Sequence, residues 1–591
     1  MVGSNPRRLG PALGRLTDPA LFAAVAAPAA VAALTLLFVV PTLAPGVASW
    51  DTAEFQTVAP VLGTGHPTGY PSYVILGWLA SIVLGPFGDP AYRMNLLQAL
   101  LGAAAAAGTA GVVQVLTGRR LIALATGLLL ACSQLFWRLS THADPHMFHV
   151  ALVAILFVVL LVWEERRNSK DPSAVAHADR WLVAAAFIYG VAVANHSLAL
   201  LLPPAIGLFV LLVDWRIVFR PRTIAACVAV LGGTIVVLFL EMPIRAAMNA
   251  PLVYGHPDTL SGFQYVVLAE QFRGSLVDPL GDLPTKAGHV MDLITGWLGP
   301  LGLLAMFGLA TSLVRRPRYL VLSGLAAVVT CGFAASYANA DIERYYLVPL
   351  LVAYTWIGLG AADAVTLLVW VAAELKNAVG AVATGPQTEP TEALATESAT
   401  ETVATESATE PRRDEEGWLG WAVLMAEIVV AAAIAFSAIG VVPTRQRQEG
   451  SVPGAVSQAG NTSDSVWMHA VLAPPDGGGL PKNAVIESMW SVSTTLWYGQ
   501  KVLGLRPDIL IVDDSTRKND HIGASGEVWD VFDLYLGSRP VFTDRFDGGC
   551  DGIAALRGAY EMKATDLPGI YQVIARLEPH VSLAACDPVQ S

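Results

Sequence analysis

ALFAAVAAPAAVAALTLLFVVPTLA, residues 20–44, contains no charged or amide side chain. An α-helix rises about 1.5 Å per residue, so a run of this length reaches across roughly 30 Å of hydrocarbon. Arg7, Arg8 and Arg15 precede it, and no small-residue cleavage site of the A-x-A kind follows Ala44. The expectation is therefore an uncleaved first span, not a signal peptide. Similar runs recur at 92–117, 121–137, 147–163, 180–196, 199–215, 223–241, 289–313, 319–338, 346–372 and 417–442. Of the 591 residues 54% are apolar and 14% charged, against about 25% charged in a soluble domain. The fold class predicted is an all-α polytopic membrane bundle of about eleven transmembrane helices carrying a small C-terminal soluble α/β domain.

The short apolar stretch 71–86, PSYVILGWLASIVLGP, decides the topology. Taken as a helix lying at the interface, it leaves Arg7, Arg8 and Arg15, Arg119 and Arg120, Arg166, Arg167 and Lys170, Arg216, Arg220 and Arg222, and Arg315, Arg316 and Arg318 on one side. Lys and Arg in short loops collect on the cytoplasmic side; taken as a span, 71–86 would scatter them over both faces. The opposite, extracytoplasmic side then receives WDTAEF (50–55), GHPTGYP (65–71), HADPH (142–146), Asn195 and His196, the loop 242–288 and DIERYY (341–346). These segments hold the Asp, Glu, His, Tyr and single Arg residues that chemistry needs.

Between 375 and 416 the chain turns Ala/Thr/Glu-rich, with ATESATE at 395 and again at 404. Such a segment cannot bury a core, and a disordered acidic cytoplasmic linker is expected. It divides a transmembrane catalytic module, 1–374, from a last transmembrane helix, 417–442, and an extracytoplasmic domain, 443–591. In that domain PKNAVIESM, RPDILIVDD and SRPVFTD read as strands, STTLWYGQKVLG as a crossover helix, and GIYQVIARL as a strand or short helix. Cys132, Cys227 and Cys331 fall within spans as small packing residues, leaving Cys550 and Cys586 as the pair able to bridge. No basic stripe with interleaved aromatics occurs, which argues against a nucleic-acid partner. The net charge of -12 owes much to the linker and tail and identifies no partner.

Asp51 and Glu54 stand three apart just after the first span, so on a helix they share a face and present two carboxylates to one space. Such a pair suits general-base work, although Asp before an apolar run is also an ordinary helix start. The Gly- and Pro-rich turn that follows would hold His66 and Tyr70 near the acids. Arg138, Asp144, His146 and His149, with His142 and His196, add ionisable groups at membrane depth, where each costs a few kcal/mol and so points to function. Their spacing is no zinc signature, and no metal is called for. Arg245 at the outer edge has the planar fork that clamps a lipid phosphate, unless it snorkels to headgroups. Asp341 and Arg344 form a second outer cluster, where Arg344 either joins the phosphate site or pairs with an acid.

The run SWDTAEFQTVAPVLGTGHPTGYPSY (49–73) resembles the first loop of the membrane family catalogued as domain of unknown function 2723, which includes protein O-mannosyltransferases of animals. PIRAAMNAPLVYGHPDTLSGFQY (243–265) and LRPDILIVDD (505–514) resemble it more loosely. The resemblance implies a GT-C glycosyltransferase, multi-pass in the membrane (the plasma membrane in a prokaryote) and active on its extracytoplasmic face. It would use a polyprenyl-phosphate sugar as donor, a glycan or protein hydroxyl as acceptor and no further cofactor, with Asp51 and Glu54 as the catalytic pair. Ala143-Asp144-Pro145-His146 departs from the Ala-Glu-Val-Tyr-like stretch common in that family, which bears on acceptor choice. The chemistry expected is an inverting displacement: Asp51 or Glu54 takes the acceptor proton while Arg245, helped by Arg138 or Arg344, holds the leaving phosphate. The rival expectations are a transporter or flippase, disfavoured because the polar groups gather at one face, and a non-catalytic scaffold.

Overall fold

Long apolar runs have one way to satisfy their backbone in hydrocarbon, and they take it as helices. In the computed structural model, which describes residues 19–339, 341–384, 412–447, 455–519, 522, 527–547 and 551–577, seven helices among the described residues are long and apolar enough to cross a membrane. A bent pair, Leu283–Leu298 and Leu301–Arg315, adds an eighth if counted as one span. The unbroken span expected at 289–313 is thus corrected to two helices meeting at 112°. The break falls at Gly299, whose φ of +51° suits glycine, followed by Pro300. The spans expected at 121–137, 180–196 and 199–215 fall on the shorter helices Arg120–Ala131, Asp179–Asn195 and Pro203–Val213. The segment 71–86 forms a helix of 13 residues, Pro71–Val83, too short to cross. It buries Tyr73 and Val74 and exposes Ile82 and Val83.

The interior is packed by helices that approach closely. A Cβ on Gly308 would lie 1.9 Å from the Trp356 carbonyl oxygen, and one on Gly360 would lie 2.2 Å from that of Leu304. Small residues at such crossings replace the hydrophobic drive that lipid removes. Helix Pro221–Phe239, by contrast, buries none of its residues and turns Val228, Val236 and Val237 outward. That suits a lipid-facing surface. Gly308→Val is expected to destabilise the bundle by at least about 1–3 kcal/mol through overpacking, whereas Gly207→Ala, which meets no atom within 4 Å, is expected to be silent. Thermal melts of the two variants in detergent check this; equal melts would remove the close-packing account.

The two ends of the bundle differ in chemistry. Asp144 caps one end of helix Pro145–Arg167 and Arg167 closes the other, about 35 Å away at the α-helical rise. The arginine end is neutralised in pairs: Arg167 with Asp214 at 2.6 Å, Arg220 with Asp179 at 2.8 Å, Arg318 with Glu164 at 3.0 Å, and Arg315 and Arg316 with the buried Asp363 at 2.7 and 2.9 Å. The acids of the first loop lie at the other end.

The C-terminal domain carries one five-stranded sheet among the described residues, ordered β2-β1-β3-β5-β4. β1 (Val485–Ser488), β2 (Leu510–Asp513) and β3 (Val541–Thr543) run parallel, while β4 (Tyr560–Ala564) and β5 (Tyr571–Arg576) complete it antiparallel. The segment GIYQVIARL resolves as strand, and Tyr560–Ala564 is a short strand the sequence reading did not anticipate, with Glu561 and Lys563 on its exposed face. A shared apolar cluster seats this domain on the membrane part, with Val47, Ala53 and Ala91 packed among Met468, Leu496, Trp497 and Tyr498. The Ala/Thr/Glu-rich linker lies mostly outside the described residues, as do Cys550 and Cys586.

Candidate active site

The first loop folds as helix Trp50–Val61, and its end is fixed from outside. The last carbonyls of a helix lack intrahelical donors. Here Arg245 supplies them, donating Nε to the Leu62 oxygen at 2.9 Å and Nη2 to the Val61 oxygen at 3.2 Å. The turn that follows is held against the large outer loop: Thr64 N–H donates to Leu252 O at 3.0 Å and Tyr254 N–H to Thr64 O at 3.2 Å. Gly69 is required there, having φ +82° and no room for a Cβ, which would fall 2.3 Å from Met242 Sδ.

This frame sets the two acids to different tasks. Glu54, 1% exposed, accepts from the His66 backbone N–H at 2.6 Å and meets His66 Nδ1 at 2.5 Å, while His66 Nε2 lies 2.9 Å from the Tyr70 hydroxyl. Burial would lower the pKa of His66, but the Glu54 carboxylate outweighs it and holds the imidazole above its ordinary value, with Asp51 adding to the effect. Asp51 is more open. Its Oδ2 accepts from Arg344 Nη2 at 2.9 Å and its Oδ1 from the Trp490 indole N–H at 3.2 Å. Burial alone would raise its pKa; His66, Arg344 and Trp490 together bring it below the usual carboxylate range.

Arg344 joins two loops. Its Nη1 also donates to Asp144 Oδ2 at 3.2 Å. Asp144, the N-cap of its helix, accepts at Oδ1 from His146 N–H at 2.6 Å and faces His146 Nδ1 at 2.8 Å. Burial would raise this carboxyl, but His146 and Arg344 hold it well below its ordinary range. Beside it the His146 and His196 rings stand 4.5 Å apart, and Tyr70 packs edge-on to His196 at 5.5 Å. Arg138 sits at the rim, 2.7 Å from Glu343 and 3.7 Å from Asp341, and Asp341 also lies 3.9 Å from Arg344.

Asp51, Glu54, His66, Tyr70, Asp144, His146, His196, Asp341, Arg138 and Arg344 therefore gather at one end of the bundle. Arg245 stands apart from this cluster, at the far end of the first-loop helix, with its guanidinium committed to the helix carbonyls. Arg344 is the arginine that meets the acids. Asp51, Glu54 and His66 each bring a ligand atom to within 4.8 Å of the others, a spacing a cation would accept. In this structure Arg344 and Trp490 donate to the Asp51 carboxylate, and His66 meets that of Glu54. Trp490 escaped the sequence reading. The available signal was its position just past the carboxyl end of a parallel strand, where ligand-facing residues gather in α/β sheets.

Residues 51–218 match the family model described as protein O-mannosyl-transferase TMEM260 N-terminal domain. Protein O-mannosyl-transferase TMEM260 of Mus musculus is 35% identical over 175 residues, 30% of this chain and 23% of that protein. The Dictyostelium discoideum protein of the same name is 25% identical over 186 residues, 29% of this chain and 23% of that one. The match thus spans under a quarter of either relative's length. Among solved structures, ArnT from Cupriavidus metallidurans bound to undecaprenyl phosphate superposes with a TM-score of 0.53 at 16% identity, covering 94% of this chain and 98% of that one. The chain therefore has the GT-C glycosyltransferase type of fold, and its first-loop region is similar to the N-terminal domain of the TMEM260 O-mannosyltransferases.

Proposed function

We propose that this chain is a membrane glycosyltransferase moving a sugar, mannose by analogy with the names of its relatives, from a polyprenyl-phosphate carrier to an acceptor hydroxyl. The observation carrying this reading is the triad Asp51–Arg344–Asp144, a shielded charge cluster assembled from three loops at the arginine-poor end of the bundle. Asp51 is the base: it is the more open of the two first-loop acids, whereas Glu54 is buried and engaged by His66. The acceptor O–H gives its proton to Asp51, the new C–O bond forms at the anomeric carbon, and the bond to the phosphate oxygen breaks with inversion. The departing phosphate gains charge, which arginines at a shielded site stabilise without a metal. Arg138, 36% exposed and paired to half-exposed acids, is the arginine best placed to exchange partners for it. Arg245 supports the site by fixing the helix that carries both acids.

The similarity to ArnT, crystallised with undecaprenyl phosphate, supports the class of carrier. The gathering of basic pairs at the opposite end supports an extracytoplasmic site under the positive-inside rule. Proteoliposomes holding the purified chain and a polyprenyl-phosphate [3H]mannose donor are expected to label a protein or glycan acceptor. Label that crosses the bilayer still on its lipid, with no transfer, would replace this reading with a transporter.

A further inference from the structure

The C-terminal domain reaches into the cluster at one point. Trp490 follows β1 and opens helix Trp490–Trp497, with its indole N–H on Asp51 Oδ1 and its ring edge-on to His66 at 5.9 Å and to Tyr254 at 6.0 Å. The segment before it is held from the carboxyl ends of the parallel strands. Ser488 Oγ donates to Asp544 Oδ2 at 2.5 Å, Met489 N–H to Asp544 Oδ1 at 2.9 Å, and Trp490 N–H to Asp514 Oδ2 at 3.3 Å. Those acids are fixed in turn. Asp514 pairs with Arg545, which also holds the fully buried Glu487, and Arg517 reaches Glu487 at 2.8 Å. The helix behind Trp490 is pinned to the membrane part: Thr495 Oγ1 donates to Ala48 O at 3.0 Å, and the Ala91 N–H donates to the Tyr498 hydroxyl at 3.1 Å.

A buried network paired in this way is an effective support. We propose that Trp490 is a positioning residue of the transferase site, delivered by the C-terminal domain to hold Asp51 Oδ1 while Arg344 holds Oδ2. Two donors on two oxygens fix the carboxylate plane, so the base meets the acceptor proton in one orientation. The domain is then part of the catalytic unit. This inference rests on the reading of Asp51 as the base.

Trp490→Phe keeps the ring packing and removes the N–H. In the full-length chain, kcat is expected to fall about tenfold to a hundredfold, the scale of a misplaced catalytic group, with KM nearly unchanged. The charged and titratable groups facing Asp51 are Glu54, His66, Tyr70, Arg344 and Tyr345, with Asp144 on the other side of Arg344. All of them stay in the variant. Loss of a bond that favours the ionised carboxylate raises the Asp51 pKa, so the acidic limb of the kcat/KM profile is expected to move up in pH. A merely structural role would leave that limb in place. Ser488→Ala, which loosens the segment but keeps the indole, is expected to show a smaller fall in kcat and serves if Trp490→Phe does not fold. Wild-type kcat and an unmoved limb in the folded variant would overturn the inference. Asp51→Asn assayed alongside separates the two claims, because an inactive Asp51→Asn beside a normal Trp490→Phe sinks only the role of Trp490.

Discussion

Asp51→Asn is expected to lower sugar transfer about 100- to 10,000-fold, the range that a positioned general base supplies. The amide is nearly the same size, and its oxygen still accepts from Arg344, so expression and melting temperature should remain close to wild type. What disappears is the site for the acceptor proton. The indole of Trp490 would then face an amide N–H in place of an oxygen, since one of the two carboxylate oxygens is lost. Transfer measured with a labelled lipid-linked donor checks this, and a fully active Asp51→Asn enzyme would end the assignment. Glu54→Gln is the informative companion, because Glu54 serves His66 and its loss should act through the turn at 65–71.

Arg344→Met is expected to be still more damaging, because it removes stability along with activity. Asp51 and Asp144 share this one guanidinium, itself 12% exposed, and Asp144 is 5% exposed. Removing one partner of a buried ion pair costs about 3–5 kcal/mol, since the remaining charges are left desolvated. The sign with pH follows from the direction of the shifts. Both carboxyls are held below their ordinary values, so their contribution is present above the unfolded carboxylate pKa and is lost as pH falls through the lower folded values. In Arg344→Met the guanidinium that lowered both carboxyls is gone and burial pushes them up, so at neutral pH they stay charged at a penalty, and mild acid, by protonating them, should narrow the gap to wild type. Arg344→Lys is expected to restore much of the fold but little of the activity, because a point charge cannot serve two carboxylates as a fork does. Melts at two pH values decide it; an Arg344→Met melt equal to wild type at neutral pH would contradict the shared-bridge account.

Much of the architecture was legible because hydrocarbon leaves the backbone few options. Runs such as 20–44 and 147–163 had to be helices, and the brevity of 71–86 was visible in the Gly and Pro residues that bound it. The break at Gly299-Pro300 was written in its residues but hidden by hydropathy, which counts both as part of a continuous apolar run. Local spacing also told that Asp51, Glu54, His66 and Tyr70 would be neighbours, all lying within one helix and its following turn. It could not tell how the two acids divide. That division depends on Arg344, 293 residues from Asp51, and on Trp490, 439 residues away. Such pairings are set by how helices pack and leave no periodicity to read. Arg245 was equally out of reach of local spacing: an arginine beside a membrane edge suggested phosphate, and nothing in its own segment foretold that it meets two carbonyls at the end of the first-loop helix.

The distance between Asp51 and Trp490 along the chain also bears on biosynthesis. A ribosome adding roughly 5–20 residues per second needs on the order of tens of seconds between these two positions. For most of that interval the first-loop carboxylate has neither donor, and after Arg344 is made it still lacks the indole of Trp490. The setting of Asp51 is thus complete only once Trp490 has been made and docked.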